Sequence, residues 1–300
     1  MSSTEAYREV PARSWSERLD WVSLGLMAPS LALLLLLFVG PVLYALYLGF
    51  TNLELVGPRS QAYGFTGLAN VQRMARDATF WKATTLTIIF VVGSAIVGQS
   101  VLGMTLALLM QRAAAALRLS VGAVVIAAWV LPEITAAFVW YAFSQAGGTL
   151  SLLLGSPRTN YLVSAPMLIV CVANIWRNVA FSMLVFAAGL RNVPTEVVEA
   201  AEVEGASYWQ RLFQVVLPIL RSTIVTNLLL VTLLNISGFT LIYAMTQGGP
   251  GTDTTTLPLY VYLEAFNYNQ LGYGTAISLV LVLIGGAFSL LFVRTSRVQV

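Results

Sequence analysis

Long charge-free stretches alternate with short polar ones along this chain, and that alternation predicts its elements. The run from Trp21 to Leu53 carries no charge and contains LALLLLLFVG; about 20 such residues suffice to cross the hydrocarbon of a bilayer as a helix. This is span 1. A polar loop from Glu54 to Lys82 holds Gly57, Pro58, Gly64 and Gly67, and Ala83 to Gln111 is again free of charge, giving span 2. Arg112 and Arg118 bracket an alanine-rich connector before span 3, about Leu119 to Phe143, which includes Pro132 and Glu133. After a loop marked by Gly147, Gly148, Gly155 and Pro157, span 4 covers Tyr161 to Leu190 with Arg177 inside it. Span 5 runs from about Ser222 to Met245 and is stopped by Gln247-Gly248-Gly249-Pro250-Gly251; span 6 runs from about Tyr273 to Val293.

The polar pieces between spans set the orientation. Residues 1–20 carry seven charges of mixed sign, which excludes a short cleavable signal and predicts a cytoplasmic tail, leaving 21–300 as one transmembrane domain. Ten of the Lys and Arg residues fall on the side of that tail, the 112–118 connector, the 191–221 segment and the carboxyl end, against five on the other. The excess of positive charge marks the cytoplasmic face. Both termini and the 191–220 loop are therefore expected inside and the Gly-Gly-Pro loop outside.

Composition narrows the chemistry. With 58% hydrophobic and 10% charged residues and a mean hydropathy of +0.80, the chain has far fewer charges than the ~25% of a soluble domain. The absence of His removes imidazole metal sites and proton shuttles. One Cys, Cys171, makes neither an internal disulfide nor a thiolate metal cluster, so no metal site is expected. The one Lys, Lys82, is followed by Ala83, so the chain lacks a phosphate-binding Gly-Lys-Ser/Thr loop and is not expected to be an enzyme.

The 191–220 segment is the most polar internal stretch and has the grammar of two short helices joined by a turn. Pro194 suits a first helical turn, and Glu196 and Glu199 favour the positive end of the helix dipole. Gly205 ends that helix and Ser207 caps a second one carrying Tyr208, Trp209, Leu212 and Phe213 before Pro218. Glu196, Glu199 and Glu202 recur every third residue, which predicts Val197, Ala200 and Ala201 on the opposite face, free to dock into a partner's groove.

This stretch resembles the signature of inner-membrane permease subunits of binding-protein-dependent ABC importers: Glu-Ala-Ala, three residues, Gly, nine residues, then Ile, any residue, Leu, Pro. Here stand Glu199-Ala200-Ala201, Gly205 and Val215-Val216-Leu217-Pro218, with Glu204 where Asp commonly precedes the Gly and Val215 for Ile. Two further stretches resemble the carbohydrate-type permeases for maltose, trehalose, other oligosaccharides and glycerol phosphate. One is Phe65 to Thr87, with Gly67-Leu68, Asn70 and Phe80-Trp81, although Thr84 replaces a usual Asn; the other is Met245 to Phe266, with the Thr-x-Gly-Gly-Pro of the first of two paired sugar permeases.

The resemblance implies an all-α, polytopic type I importer permease with six transmembrane helices and a cytoplasmic coupling-helix loop. It implies a second homologous permease, a cytoplasmic ATPase dimer holding ATP and Mg, an extracytoplasmic sugar-binding protein and a bacterial plasma membrane, with no cofactor on this chain and no nucleic-acid partner. The ATPase-coupling residues it implies are Glu196, Glu199, Ala200, Ala201, Glu204, Gly205, Leu217 and Pro218.

Other polar residues carry two readings each. Arg177, with Asn174 and Asn178, either lines a substrate path, as an ion inside hydrocarbon usually faces a cavity, or snorkels to the cytoplasmic interface if the span ends early. Asn227 and Asn235, with Tyr243, either hydrogen-bond a sugar or join helices to one another. Glu133 marks either a broken helix lining the path or, by preference, a helix end near the surface. Trp129, Trp140 and Trp176 are interfacial belt residues or stacking platforms. Gly248, Gly249 and Pro250 either touch the external binding protein or form a plain turn. The rival class is an ATP-independent secondary transporter or channel, which typically carries paired intramembrane charges or internal repeats, and no second copy of the first three spans is visible in the last three. A membrane-embedded enzyme would need a convergent set of acids, bases or metal ligands that these few charges do not make.

Overall fold

The computed structural model describes residues 21–296; the tail expected over 1–20 and the end from Arg297 lie outside the described residues. Among the described residues the chain is helical, with one isolated antiparallel bridge between Thr51 and Phe65 and no strand. It divides into two units, Met1–Tyr47 and Leu48–Val300.

The first unit carries span 1. Helices α1 (Trp21–Leu34) and α2 (Gly40–Leu48) run into one another through a wider π-helical stretch, Leu35–Val39. Its leucines from Leu26 to Leu46 lie exposed, as suits a helix solvated by lipid.

In the second unit a short helix α3 (Ala69–Arg76) precedes span 2, which joins α4 (Ala78–Phe90) and α5 (Ser100–Arg112) through a π-helical stretch, Val91–Gln99. The span begins before the expected Ala83 because Asp77 caps it, accepting the Thr79 N–H at 2.9 Å. Span 3 is broken. Helix α6 (Ala115–Val130) ends at Leu131 and Pro132, both extended with ψ of 135° and 139°, and α7 (Glu133–Ser144) resumes at an angle of 106°. Proline lacks the donor needed to continue the helix and pushes the residue before it out of helical geometry. The small helices α8 (Thr149–Leu153) and α9 (Tyr161–Ser164) lead to span 4, α10 (Pro166–Leu190), whose proline opens the first turn.

Helix α11 (Thr195–Val203) and a second helix made of α12 (Tyr208–Gln210), a π stretch (Arg211–Val216) and α13 (Leu217–Ile219) precede span 5. The chain bends by 69° at Leu220 into α14 (Arg221–Ile236). Span 5 stops there and not at Met245: Ser237 and Gly238, poor helix formers, interrupt the apolar run, and α15 (Thr240–Thr246) is separate. Helix α16 (Leu257–Tyr262), with a π turn at Leu263–Asn267, precedes span 6, α17 (Leu271–Ser296). Among the described residues, four helices are long and apolar enough to cross a membrane, and two bent pairs bring the number to six when each pair is one crossing.

Spans 2 and 4 form the centre. Gly103 lets them touch: a β-carbon there would lie 2.5 Å from the Ser182 Cβ and 2.9 Å from the Met183 nitrogen. Close approach at small residues is how membrane helices gain contact, since burying apolar surface yields little in lipid. Ala107, Met183, Phe186, Leu190 and Leu220 close the core toward the Arg112 end of span 2.

Candidate functional site

The 191–220 loop folds as its residues dictate. Helix α11 ends in a glycine-type cap: Gly205 stands at φ +84°, its N–H reaches the Glu202 carbonyl and the Ala206 N–H the Ala201 carbonyl, both at 3.0 Å. Only glycine adopts this backbone without cost. The second helix starts in a capping box, with the Gln210 N–H donating to Ser207 Oγ and the Ser207 N–H to Gln210 Oε1.

The faces of α11 differ from the expected ones. Glu199 and Glu202, with Thr195 and Val198, line a groove of about 370 Å³ shared with Gln111 and Arg112 from span 2. Glu196, Val197, Ala200 and Val203 are exposed, Val203 at 89%, while Ala201 is half-buried. Residues three apart fall about 60° short of a full turn, so three glutamates at that spacing drift across the helix and cannot share one edge. Glu202 pairs with Arg211 of the second helix, and the Arg112 guanidinium lies 4.5 Å above the Tyr208 ring. Glu204 caps α11 and is exposed, Leu217 faces an apolar groove, and Pro218 opens the turn before the bend.

A second constellation lies within the spans. Asn174 Nδ2 donates to Ser94 Oγ at 2.8 Å and to Asn235 Oδ1 at 2.7 Å, joining spans 2, 4 and 5. Gln99 Nε2 reaches the same Asn235 oxygen at 3.4 Å. Asn178 Nδ2 donates to Asn174 Oδ1 at 2.8 Å, and Arg177 Nη1 donates to Asn178 Oδ1 at 3.0 Å. The chain of bonds ends at a cavity of about 250 Å³ bounded by Asn174, Arg177, Asn178 and Asn235 together with Gln99, Glu133, Trp129 and Phe181.

Arg177 lies midway along the 25-residue α10, about 20 Å from its end at 1.5 Å per residue. Its side chain lines the cavity. Its Nε is buried without a hydrogen-bond partner, and among the described residues it has no ion pair. Of the two readings of Glu133, the broken helix is the one adopted, which corrects the preference for a surface helix end: the 106° bend carries Glu133 into this wall.

Other candidates lie elsewhere. Asn227 is fully buried and donates to Ser100 Oγ at 3.1 Å, a bond between spans 5 and 2 outside the cavity. Tyr243 packs edge-on against Tyr262 at 5.2 Å, also away from it. Trp129 lines the cavity beside Phe181, whereas Trp140 and Trp176 pack edge to face at 6.0 Å. Gly248 is buried under Thr255, whose hydroxyl donates to the Gly248 carbonyl, so it offers no contact surface; Gly249 and Pro250 are half-exposed.

At the far end of span 2, Asp77 Oδ2 accepts hydroxyls from Tyr260 and Tyr273. Burial alone would raise its pKa, but those two bonds and the backbone N–H groups of Phe80 and Thr79 hold the carboxyl below its ordinary range. Neighbouring Glu264 is pushed up by burial, only partly relieved by the Tyr260 hydroxyl and Arg73. Lys82 Nζ meets Asp253 Oδ1 at 2.7 Å, tying the loop after α15 to the start of span 2.

Sequence reasoning missed Gln99, Arg112, Arg211 and Asp77 as site residues. The only signal for Gln99 was a lone amide in an apolar run; none existed for the others, whose partners lie in other segments.

The family model for binding-protein-dependent transport system inner membrane components matches residues 99–297. The chain is 31% identical to the sulfoquinovosyl glycerol transport system permease protein SmoG of Agrobacterium fabrum, over 93% of this chain and 94% of that one. It is 31% identical to the trehalose/maltose transport system permease protein MalF of Thermococcus litoralis, over 78% and 80% of the two chains. It is 30% identical to the trehalose transport system permease protein SugA of Mycobacterium tuberculosis, over 98% and 93%. In fold it matches a chain of a bacterial ABC transporter involved in importing the acidic polysaccharide alginate, with a TM-score of 0.73 at 18% identity, over 94% of this chain and 97% of that one.

Proposed function

The chain belongs to the family of binding-protein-dependent transport system inner membrane components, and from that premise we propose that it is the permease subunit of an ATP-driven sugar importer, forming half of the translocation path. The observation that carries the reading is the signature loop: Glu199-Ala200-Ala201 and Gly205 form a short capped helix whose Glu196, Val197, Ala200 and Val203 face outward uncovered. Small and apolar side chains on a rigid helix suit insertion into a cleft. Relatives at about 30% identity that serve trehalose, maltose or sulfoquinovosyl glycerol support a sugar as cargo.

In this reading ATP and Mg are held by a cytoplasmic ATPase dimer, and closure of that dimer moves α11, which turns the spans between inward- and outward-facing states. Each state is favoured only by differential contacts, so Glu196, Glu199, Ala200, Ala201, Glu204 and Gly205 shape the docked element while Leu217 and Pro218 join it to span 5. The cavity of about 250 Å³ is smaller than a usual ligand pocket of ~300–1,000 Å³. It therefore contributes part of a path that a second, homologous permease completes. Arg177 and Asn178 lead the candidate contacts with substrate, with Asn174 and Asn235 holding them in place, and Glu133 joins them. Asn227 and Tyr243 act as helix-joining residues. A sugar-binding protein on the opposite face docks near Gly249 and Pro250. Both termini lie in the cytoplasm of a bacterial cell whose plasma membrane holds the complex. An ATP-independent transporter is disfavoured because it leaves the exposed face of α11 without a purpose.

Affinity purification of the chain co-expressed with its neighbouring permease, ATPase and binding protein tests the proposal. The ATPase is expected to co-purify with the wild type and to be lost from an Ala200→Arg variant that still inserts. A wild-type chain that never retains an ATPase contradicts it.

A further inference from the structure

We propose that two side-chain bridges, Glu202 to Arg211 and Arg112 to Tyr208, are positioning contacts that carry motion of α11 into span 2, alongside the covalent route through Pro218 into span 5. The inference rests on the importer reading above.

Its basis is a gap. Helix α11 faces the ends of spans 2 and 4 across a groove of about 370 Å³, with Val198 and Glu199 on one side and Gln111 and Leu190 on the other. Side chains separated by a void have no partner atoms to push against, so the groove itself transmits little displacement. Two side-chain contacts among its lining residues link α11 to the second helix and the second helix to span 2. Glu202, near the end of α11, pairs with Arg211, whose side chain is largely buried at 17% exposure while that of Glu202 is 63% exposed. With its carboxylate side so open to solvent, the pair adds little to folding stability. Its geometric effect is larger: it spans the Gly205 turn and fixes the angle between α11 and the second helix. The π-helical stretch begins at Arg211 itself, and such widened turns are frequent where a helix serves a functional movement.

The second bridge continues the first. Tyr208 opens the second helix, and its ring lies under the Arg112 guanidinium in the last turn of span 2. From Arg112 the span runs past the close contact at Gly103 to Gln99 and Ser94, which bond to Asn235 and Asn174 at the cavity wall. A tilt of α11 thus reaches both sides of the cavity, through span 2 by the bridges and through span 5 by the chain. Coupling through each bridge is read by perturbing both of its partners.

The test uses the complete complex in proteoliposomes, with trehalose, maltose and sulfoquinovosyl glycerol offered in turn, and reads sugar taken up per ATP hydrolysed. Glu202→Arg and Arg211→Glu are each expected to lower that ratio at least about fivefold, the low end of ordinary coupling, with the ATPase still bound, and the combined swap to restore it. Tyr208→Leu is expected to act like the single charge variants and Tyr208→Phe like the wild type. Wild-type ratios in the single variants, a swap that fails to rescue, or loss of the ATPase from the complex would each overturn the proposal. A wild-type complex that shows no ATP-driven uptake of any of the three sugars would instead remove the importer reading, and the bridges' role with it.

Discussion

At Gly205 a single backbone angle decides how the coupling loop folds. Its φ of +84° lies where most L-residues are strained by about 1–2 kcal/mol, yet a side chain built there meets nothing within 4 Å. Substitution therefore costs conformation and no packing, and Asp is among the residues that tolerate the left-handed region best. Gly205→Asp is expected to insert at normal levels and to lose roughly tenfold or more of sugar uptake, equivalent to about 1.4 kcal/mol, because its charge projects beside the exposed face of α11. Membrane immunoblots and an uptake assay check this; normal uptake at normal expression counts against it. Arg177 shows what residue identity tells and withholds. An arginine in an apolar run announces itself, but its position along the helix follows from where that helix begins and ends, and only the unbroken stretch from Pro166 to Leu190 places it mid-helix.

At the scale of elements, the contact of spans 2 and 4 at Gly103 holds the centre together. A valine there needs space already taken by Ser182 and the Met183 backbone, and overpacking of this kind costs about 1–3 kcal/mol. Gly103→Val is expected to lower the thermal midpoint of the detergent-solubilised chain, while Gly93→Val in the same span, where no atom lies within 4 Å, leaves it unchanged; fluorescence-detected size-exclusion after heating distinguishes them, and equal midpoints contradict the close-contact account. The spans were legible because apolar runs about 20 residues long have few other uses. The breaks were legible in part. Pro132 was a visible interruption, but Ser237 and Gly238 look harmless inside an apolar run and still end span 5 early. The π-helical stretches leave no mark in the pattern, since they alter the hydrogen-bond register and not the residue types. The Glu-Ala-Ala motif was legible through its resemblance to the importer-permease signature, yet the face of α11 that looks outward was not, because Arg211, which pairs with Glu202, and the groove wall opposite Glu199 lie outside that helix.

For the whole molecule, two polar regions lie far apart along the spans: a loop with an uncovered helix face at the Arg112 end, and a cavity with Arg177 and Glu133 on its wall. A secondary transporter would use such intramembrane charges to bind a driving ion, whereas an ATP-driven permease uses the loop to receive work from outside the membrane. The family to which the chain belongs favours the second. The measurement that decides is sugar uptake into proteoliposomes holding the full complex, with ion gradients collapsed by ionophores and with ATP either supplied or withheld on the ATPase side. Uptake that requires ATP and the binding protein, and persists without any gradient, is the predicted result. Uptake that follows an ion gradient and ignores ATP would contradict the account.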